Sequence, residues 1–141
     1  MWPYTIDEAD ALNGPSGELA ARTVAMPADT NPSGEIFGGW IMSLMDTAGM
    51  MTAIRHAQGR VTTVAVTNMA FHCPVKVGDV VCCYTDLVRV GRTSATFHIE
   101  VWVLRGGQGT RLKVTSAEFT FVALDAEGRP RVFLQPAAAI A

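Results

Sequence analysis

The apolar positions of this chain follow two periods. From Gly38 to about Gln58, Ile41, Leu44, Met45, Ala48, Met51 and Ile54 recur at intervals of three and four, the spacing of one face of an α-helix. Trp40, Met42 and Met50 place apolar side chains on other faces, so the helix is expected to be buried on most sides. At ~1.5 Å per residue it is roughly 30 Å long. Thr52 is the polar interruption near the stripe. Arg55 and His56 fall in the last turn, where the helix dipole is negative, and Gly59 is the expected stop.

Beyond Gly59 the period drops to two. Val61 to Phe71 is rich in Val and Thr, and Pro74 breaks the run. Val77-Gly78-Asp79 is a turn, Val80 to Val90 a long strand, and Gly91-Arg92 a second turn. From Ser94 to Leu104, Phe97, Ile99, Val101 and Val103 share one face and Thr96, His98, Glu100 and Trp102 the other. Gly106-Gly107-Gln108-Gly109 is a loop, Arg111 to Leu124 another strand, and Asp125 to Pro130 a turn. Ahead of the helix, Glu18 to Pro27 reads as a first strand, followed by a polar loop over 28–37 whose Asp29, Asn31, Pro32 and Gly34 are turn formers. Residues 1–17 are expected to form a flexible leader, 18–131 a single domain and 132–141 a tail. Short turns make neighbouring strands antiparallel, giving an α+β fold of one helix and one sheet. A sheet covers only one side of a helix that is apolar all round. The sheet is therefore expected to curl around it, and a second copy of the chain to cover the rest.

Composition narrows the function classes. The chain has 141 residues, 49% of them hydrophobic, and a net charge of −2. It can form a core, and it offers neither a basic nucleic-acid surface nor a polybasic membrane patch. Its cysteines, Cys73, Cys82 and Cys83, are odd in number and form no C-x-x-C, which speaks against a disulfide framework or a zinc site and for a reducing, cytoplasmic compartment. No metal or other cofactor is expected. The N-terminal ten residues resemble no secretory signal, and no apolar run reaches the ~18 residues of a membrane span.

The candidate chemistry lies at the loop–helix junction, from Asp29 to Asp46. Asp46 is the only carboxylate between Glu35 and Asp79. An acid in an apolar helix costs free energy unless it is partnered or used, and its neighbours on the helix face, Met42, Gly49, Met50 and Ala53, cannot neutralise it. Bland readings stand beside this one. Asp46 can be a structurally satisfied acid, Asn31 a turn residue, Gly38-Gly39 a close-packing device, and Arg92 a solvated turn residue. None of the histidines, His56, His72 and His98, is assigned to catalysis.

The text Ala25-Met26-Pro27-Ala28-Asp29-Thr30-Asn31, Gly34-Glu35-Ile36-Phe37-Gly38-Gly39-Trp40-Ile41-Met42 and Met45-Asp46 resembles the hotdog-fold acyl-CoA thioesterases of the bacterial YciA type, which are related to cytosolic acyl-CoA hydrolases of animals. The resemblance continues through Phe71, Pro74-Val75, Val77 to Val81, Gly91 to Ser94 and Ile99 to Val103, covering roughly residues 18–131. Many hotdog relatives carry His before Gly-Gly, where this chain has Phe37; the YciA type carries Phe there. The resemblance implies a curved antiparallel sheet wrapped around one long central helix, and hydrolysis of acyl-CoA to a free acid and CoA. It implies that the helix N-terminus at Gly38 and Gly39 holds the developing oxyanion, and that Asn31 holds the water or the carbonyl. Asp46 would then act as general base or as nucleophile. Arg92, Thr93 and Ser94 would meet the CoA.

Asp46 lies eight residues after Gly38, about 12 Å along one helix. The two are expected to serve one carbonyl only if they come from different subunits of a C2 dimer. The resemblance implies sites built across such a dimer, assembled further into a trimer of dimers. Three alternatives remain: a non-catalytic acyl-CoA-binding module, an acyl-carrier-protein thioesterase, and a hotdog dehydratase. The last uses a His with an acid, and no His lies between Asp29 and Asp46.

Overall fold

The computed structural model describes residues 14–106 and 110–134. Most of the expected leader, the tip of the Gly-rich loop and the tail from 135 onward lie outside the described residues. Strand β1 (Glu18–Val24) leads through a short 3-10 turn (Pro27–Asp29) into helix α1 (Gly38–Ala57). Four strands follow: β2 (Val61–Phe71), β3 (Val80–Val90), β4 (Ser94–Arg105) and β5 (Thr110–Ala123). They form one antiparallel sheet in the order β1-β3-β4-β5-β2. The helix packs against all five strands, so the sheet curls around it as expected. β1 and β2 are the two edges.

The core lies between helix and sheet. Phe97, Ile99, Val101 and Val103 of β4 and Phe119 and Phe121 of β5 turn inward and are almost fully buried. Each such side chain contributes roughly 1.5–3 kcal/mol.

The helix presents a different face from the one its largest residues suggest. Its buried positions are Ile41, Met45, Ala48, Gly49, Thr52, Ala53 and Ala57, whereas Met51 and Ile54 are exposed. The reason is proximity to the sheet. A Cβ on Gly49 would lie 2.6 Å from Ile99 Cδ1 and 2.9 Å from Phe121 Cζ. Only small residues fit at this crossing; Ile41 and Met45, nearer the start of the helix, are buried as expected, and Met51 and Ile54 splay outward. Thr52 is tolerated there because its hydroxyl bonds to Ala48 O (3.1 Å) and to the Thr85 hydroxyl (3.0 Å). Met42, Met50, Met51 and Ile54 leave an apolar stripe of the helix uncovered in one protomer.

Three further details sharpen this picture. The helix stops at Gln58, which adopts the left-handed conformation (φ 54°). Gly59 instead donates back to Ile54 O and makes room for Arg131, whose Nη2 caps Ala57 O at 2.9 Å. The second face of β4 is buried as well at Thr96, Glu100 and Trp102. Finally, the folded chain continues past 131. Phe133 is buried, and its N–H bonds to Arg92 O (2.9 Å).

Candidate active site

The polar loop before α1 is folded around Asn31. Its Oδ1 accepts the N–H groups of Ser33 (2.9 Å) and Glu35 (3.1 Å), and its own N–H bonds to Glu35 O (2.6 Å). This is the turn-forming role a short amide side chain performs well. It occupies the oxygen of the side chain and leaves the NH2 end as a donor.

Helix α1 begins without a side-chain cap. Phe37 N–H bonds to Asp29 O, and the first bonds back to Phe37 O come from Trp40 (3.1 Å) and Ile41 (3.4 Å). Gly38 and Gly39 therefore carry the orphan donors of the helix start, where the dipole is positive. The protomer's own packing requires neither glycine. A Cβ on Gly39 would meet nothing within 4 Å, and one on Gly38 would only touch the Phe71 ring at 3.4 Å. Neither has a positive φ. What the two glycines preserve is bare backbone facing outward, where another molecule can approach.

Asn31 and Gly38 share a cavity of about 620 Å³ with Ser33 and Glu35 at its polar side and Ile36, Ile41, Met69, Phe71 and Val75 at its apolar side. This two-sided lining suits a polar thioester on an apolar chain. Cys73 also lines it, but burial pushes its thiol pKa up, and its Sγ donates to Lys113 O (3.5 Å). A neutral thiol is no nucleophile. No histidine borders this cavity.

Asp46 does not line the cavity. It is half-buried, and its partner comes from β2 rather than from the helix. Thr63 Oγ1 donates to Asp46 Oδ1 at 2.5 Å. A β-bulge between Thr63 and Ala65 interrupts the β2–β5 register. Ordinary alternation still places Val61, Thr63 and Ala65 inward and Thr62, Val64 and Val66 outward, so Thr63, opposite the buried Phe121, faces the carboxylate. Sequence reasoning missed Thr63 because a Thr in a Val/Thr-rich run reads as strand propensity. Only the folded sheet shows that its face of β2 turns toward the helix.

Arg92 and Thr93 lie in the β3–β4 turn and Ser94 opens β4. Ser94 pairs with Val122, beside Ala123 and Val61 at the start of β2, whereas the cavity sits at Phe71, the end of β2. Within one chain the structure brings together Asn31 and Gly38, with Gly39 next in the helix, and separately Asp46 and Thr63. It does not bring Arg92, Thr93 or Ser94 to the cavity. Among the described residues, no group of three or more His, Cys, Asp or Glu side chains could hold a metal ion. No helix among them is long and apolar enough to cross a membrane.

Comparison with known proteins fits this arrangement. The family model of the thioesterase superfamily matches residues 33–110. The acyl-CoA thioester hydrolase YciA of Escherichia coli K12 is 54% identical over 122 residues, 84% of this chain and 92% of the relative. The hexameric thioesterase y2039 of Yersinia pestis superposes with a TM-score of 0.81 at 55% identity, over 84% of this chain and 97% of that one. HI0827, a hexameric broad-specificity acyl-CoA thioesterase, superposes with a TM-score of 0.81 at 50% identity, over 89% of this chain and 87% of that one. With its hotdog architecture, its uncapped Gly-Gly helix start and this degree of likeness, the chain belongs to the YciA group of acyl-CoA thioester hydrolases in the thioesterase superfamily.

Proposed function

We propose that this protein hydrolyses acyl-CoA thioesters to a carboxylic acid and free CoA, in sites completed across a two-fold dimer. The observation that carries the reading is the uncapped N-terminus of α1, whose first residue, Gly38, lines a cavity shared with Asn31, with Gly39 next in the helix. The thioester carbonyl lies against the N–H groups of these glycines, and the oxyanion formed on attack is stabilised by them. Removing one such donor costs on the order of 3 kcal/mol of barrier. The Asn31 NH2 orients the carbonyl or the attacking water. Asp46 of the neighbouring subunit, steadied by Thr63, takes the water proton and later delivers it to the leaving CoA thiolate. A nucleophilic Asp46 passing through an anhydride is the variant of this step. Arg92, Thr93 and Ser94 sit at the far end of the same protomer, so a dimer also brings them near the neighbour's cavity, where they hold the phosphates of CoA.

The dimer is supported by the exposed stripe on α1 and by edge strand β2, which carries exposed Val64 and Val66. Further assembly into a trimer of dimers follows the hexameric relatives. Three free thiols and no disulfide fit a cytoplasmic setting.

The test is thiol release from a panel of acyl-CoAs. Wild type should turn over and Asp46→Ala should lose about 100-fold or more. Glu35 is the carboxylate that borders the cavity within one chain. Were it the base, Glu35→Gln would abolish turnover and Asp46→Ala would not. Tight acyl-CoA binding without turnover would make the protein a binding module, and faster release from acyl-carrier protein would change the substrate.

A further inference from the structure

We propose that Arg105 and Asp79, which touch no substrate, are the positioning residues of the candidate site. Together they fix the segment from which both ends of the Asn31 loop hang.

Asp79 is 3% exposed. Arg105, at the end of β4, donates from Nε to Asp79 Oδ1 (3.1 Å) and from Nη2 to Asp79 Oδ2 (2.8 Å). The same Nη2 reaches Pro74 O (2.8 Å). Asp79 Oδ2 also accepts the Lys76 N–H (2.8 Å), and Asp79 N–H donates to Lys76 O (3.0 Å). One guanidinium and one carboxylate thus hold the whole turn from Pro74 to Asp79. The planar two-point pairing fixes orientation as well as distance.

That turn grips the loop at both ends. At the near end, Ala25 N–H bonds to Asp79 O (2.9 Å) and Gly78 N–H to Ala25 O (2.9 Å). At the far end, Ile36 N–H bonds to Val75 O (3.0 Å), two residues before the helix start at Gly38. Asn31 lies between these anchors. Pro74 and Val75 are themselves cavity wall, facing Asn31 and Gly38. Movement of the turn therefore shifts the wall, the Asn31 amide and the α1 N-terminus together. A buried ion pair contributes little net stability over an apolar replacement, whereas a fixed geometry is what a preorganised oxyanion site needs.

The catalytic half of the test rests on the proposed thioesterase reading; the exchange half does not. Arg105→Gln, Arg105→Lys and Asp79→Asn are compared with wild type at a temperature where circular dichroism shows each folded. Asp79→Asn keeps an acceptor for the Lys76 N–H, and Arg105→Lys keeps the charge without the two-point grip, so at least these milder variants should fold. Hydrogen exchange followed by mass spectrometry should show faster exchange in residues 25–37, with the β4–β5 ladder unchanged. The kcat on acyl-CoA should fall about 10- to 100-fold with KM changed much less. Arg105→Lys should recover only part of the loss. In an Asn31→Ala background, Arg105→Gln should cost clearly less than in wild type, because both act through one group. Wild-type exchange over 25–37, wild-type kcat in the folded variants, or full multiplication of the two losses would each overturn the proposal. A wild-type chain that hydrolyses no acyl-CoA would overturn the function instead, and the exchange result would still decide the positioning role.

Discussion

Asp46 was legible in the sequence as a lone acid in an apolar helix, and its partner was not. Thr63 meets it from the inward face of β2, and a run rich in both Val and Thr does not show which of its two faces turns inward. A hydrogen bond to a charged group is worth about 1.5–3 kcal/mol. Thr63→Val is therefore expected to lower kcat by about tenfold while the variant stays folded, measured as steady-state thiol release. The residue scale also holds a charged cluster away from the cavity. Burial alone would push the Glu100 carboxyl up. Hydrogen bonds from His98, Trp102 and the Ser16 N–H, with the Lys113 charge nearby, outweigh burial and bring its pKa down to about 2. The same contact raises His98 above its ordinary 6.5, against burial. The signs are opposite. Glu100 stabilises the fold above its ordinary pKa of 4.5 and loses that contribution as the pH falls toward 2. His98 stabilises it below 6.5 and loses that as the pH rises through its folded value. Thermal melts of wild type against His98→Gln should thus differ most below about pH 6.5 and converge above the raised folded value.

At the scale of elements, strand and helix positions were readable almost throughout, because turn formers and the switch of period mark them. The orientation of α1 was not. Hydrophobicity favours Met51 and Ile54 as the inner face, but the sheet approaches too closely for them. Two glycines of the same helix should then respond oppositely. Gly49→Ala places a methyl against Ile99 and Phe121 and is expected to destabilise by about 1–3 kcal/mol from overpacking, less roughly 1 kcal/mol regained in helix propensity. Denaturant midpoints measure this. Gly39→Ala meets nothing within 4 Å, so its midpoint should not fall. Its kcat/KM should, because the methyl intrudes where the carbonyl approaches. A drop in stability at Gly39 without a drop in rate would return that glycine to a packing role.

At the scale of the whole molecule, a spacing of about 12 Å between Gly38 and Asp46 led to the expectation of a second subunit, and within one chain Asp46 does not line the cavity. What no sequence pattern supplied is the pairing across the fold. Arg92 and Gly38 lie 54 residues apart in the chain, with the β3–β4 turn beside Val61 and the cavity at Phe71. That placement depends on the strand order β1-β3-β4-β5-β2, which alternation along any one strand cannot specify.

The split between the Asn31 cavity and the Asp46–Thr63 pair has an arithmetic consequence. Asn31→Ala and Asp46→Ala proteins should each be nearly inactive alone. When they are mixed, unfolded and refolded together, random pairing makes about half of the dimers mixed. Each mixed dimer then holds one site with both residues intact and one with neither. Two dead proteins should together recover roughly one quarter of the wild-type rate. If both groups serve a site within one chain, the mixture stays dead at every ratio.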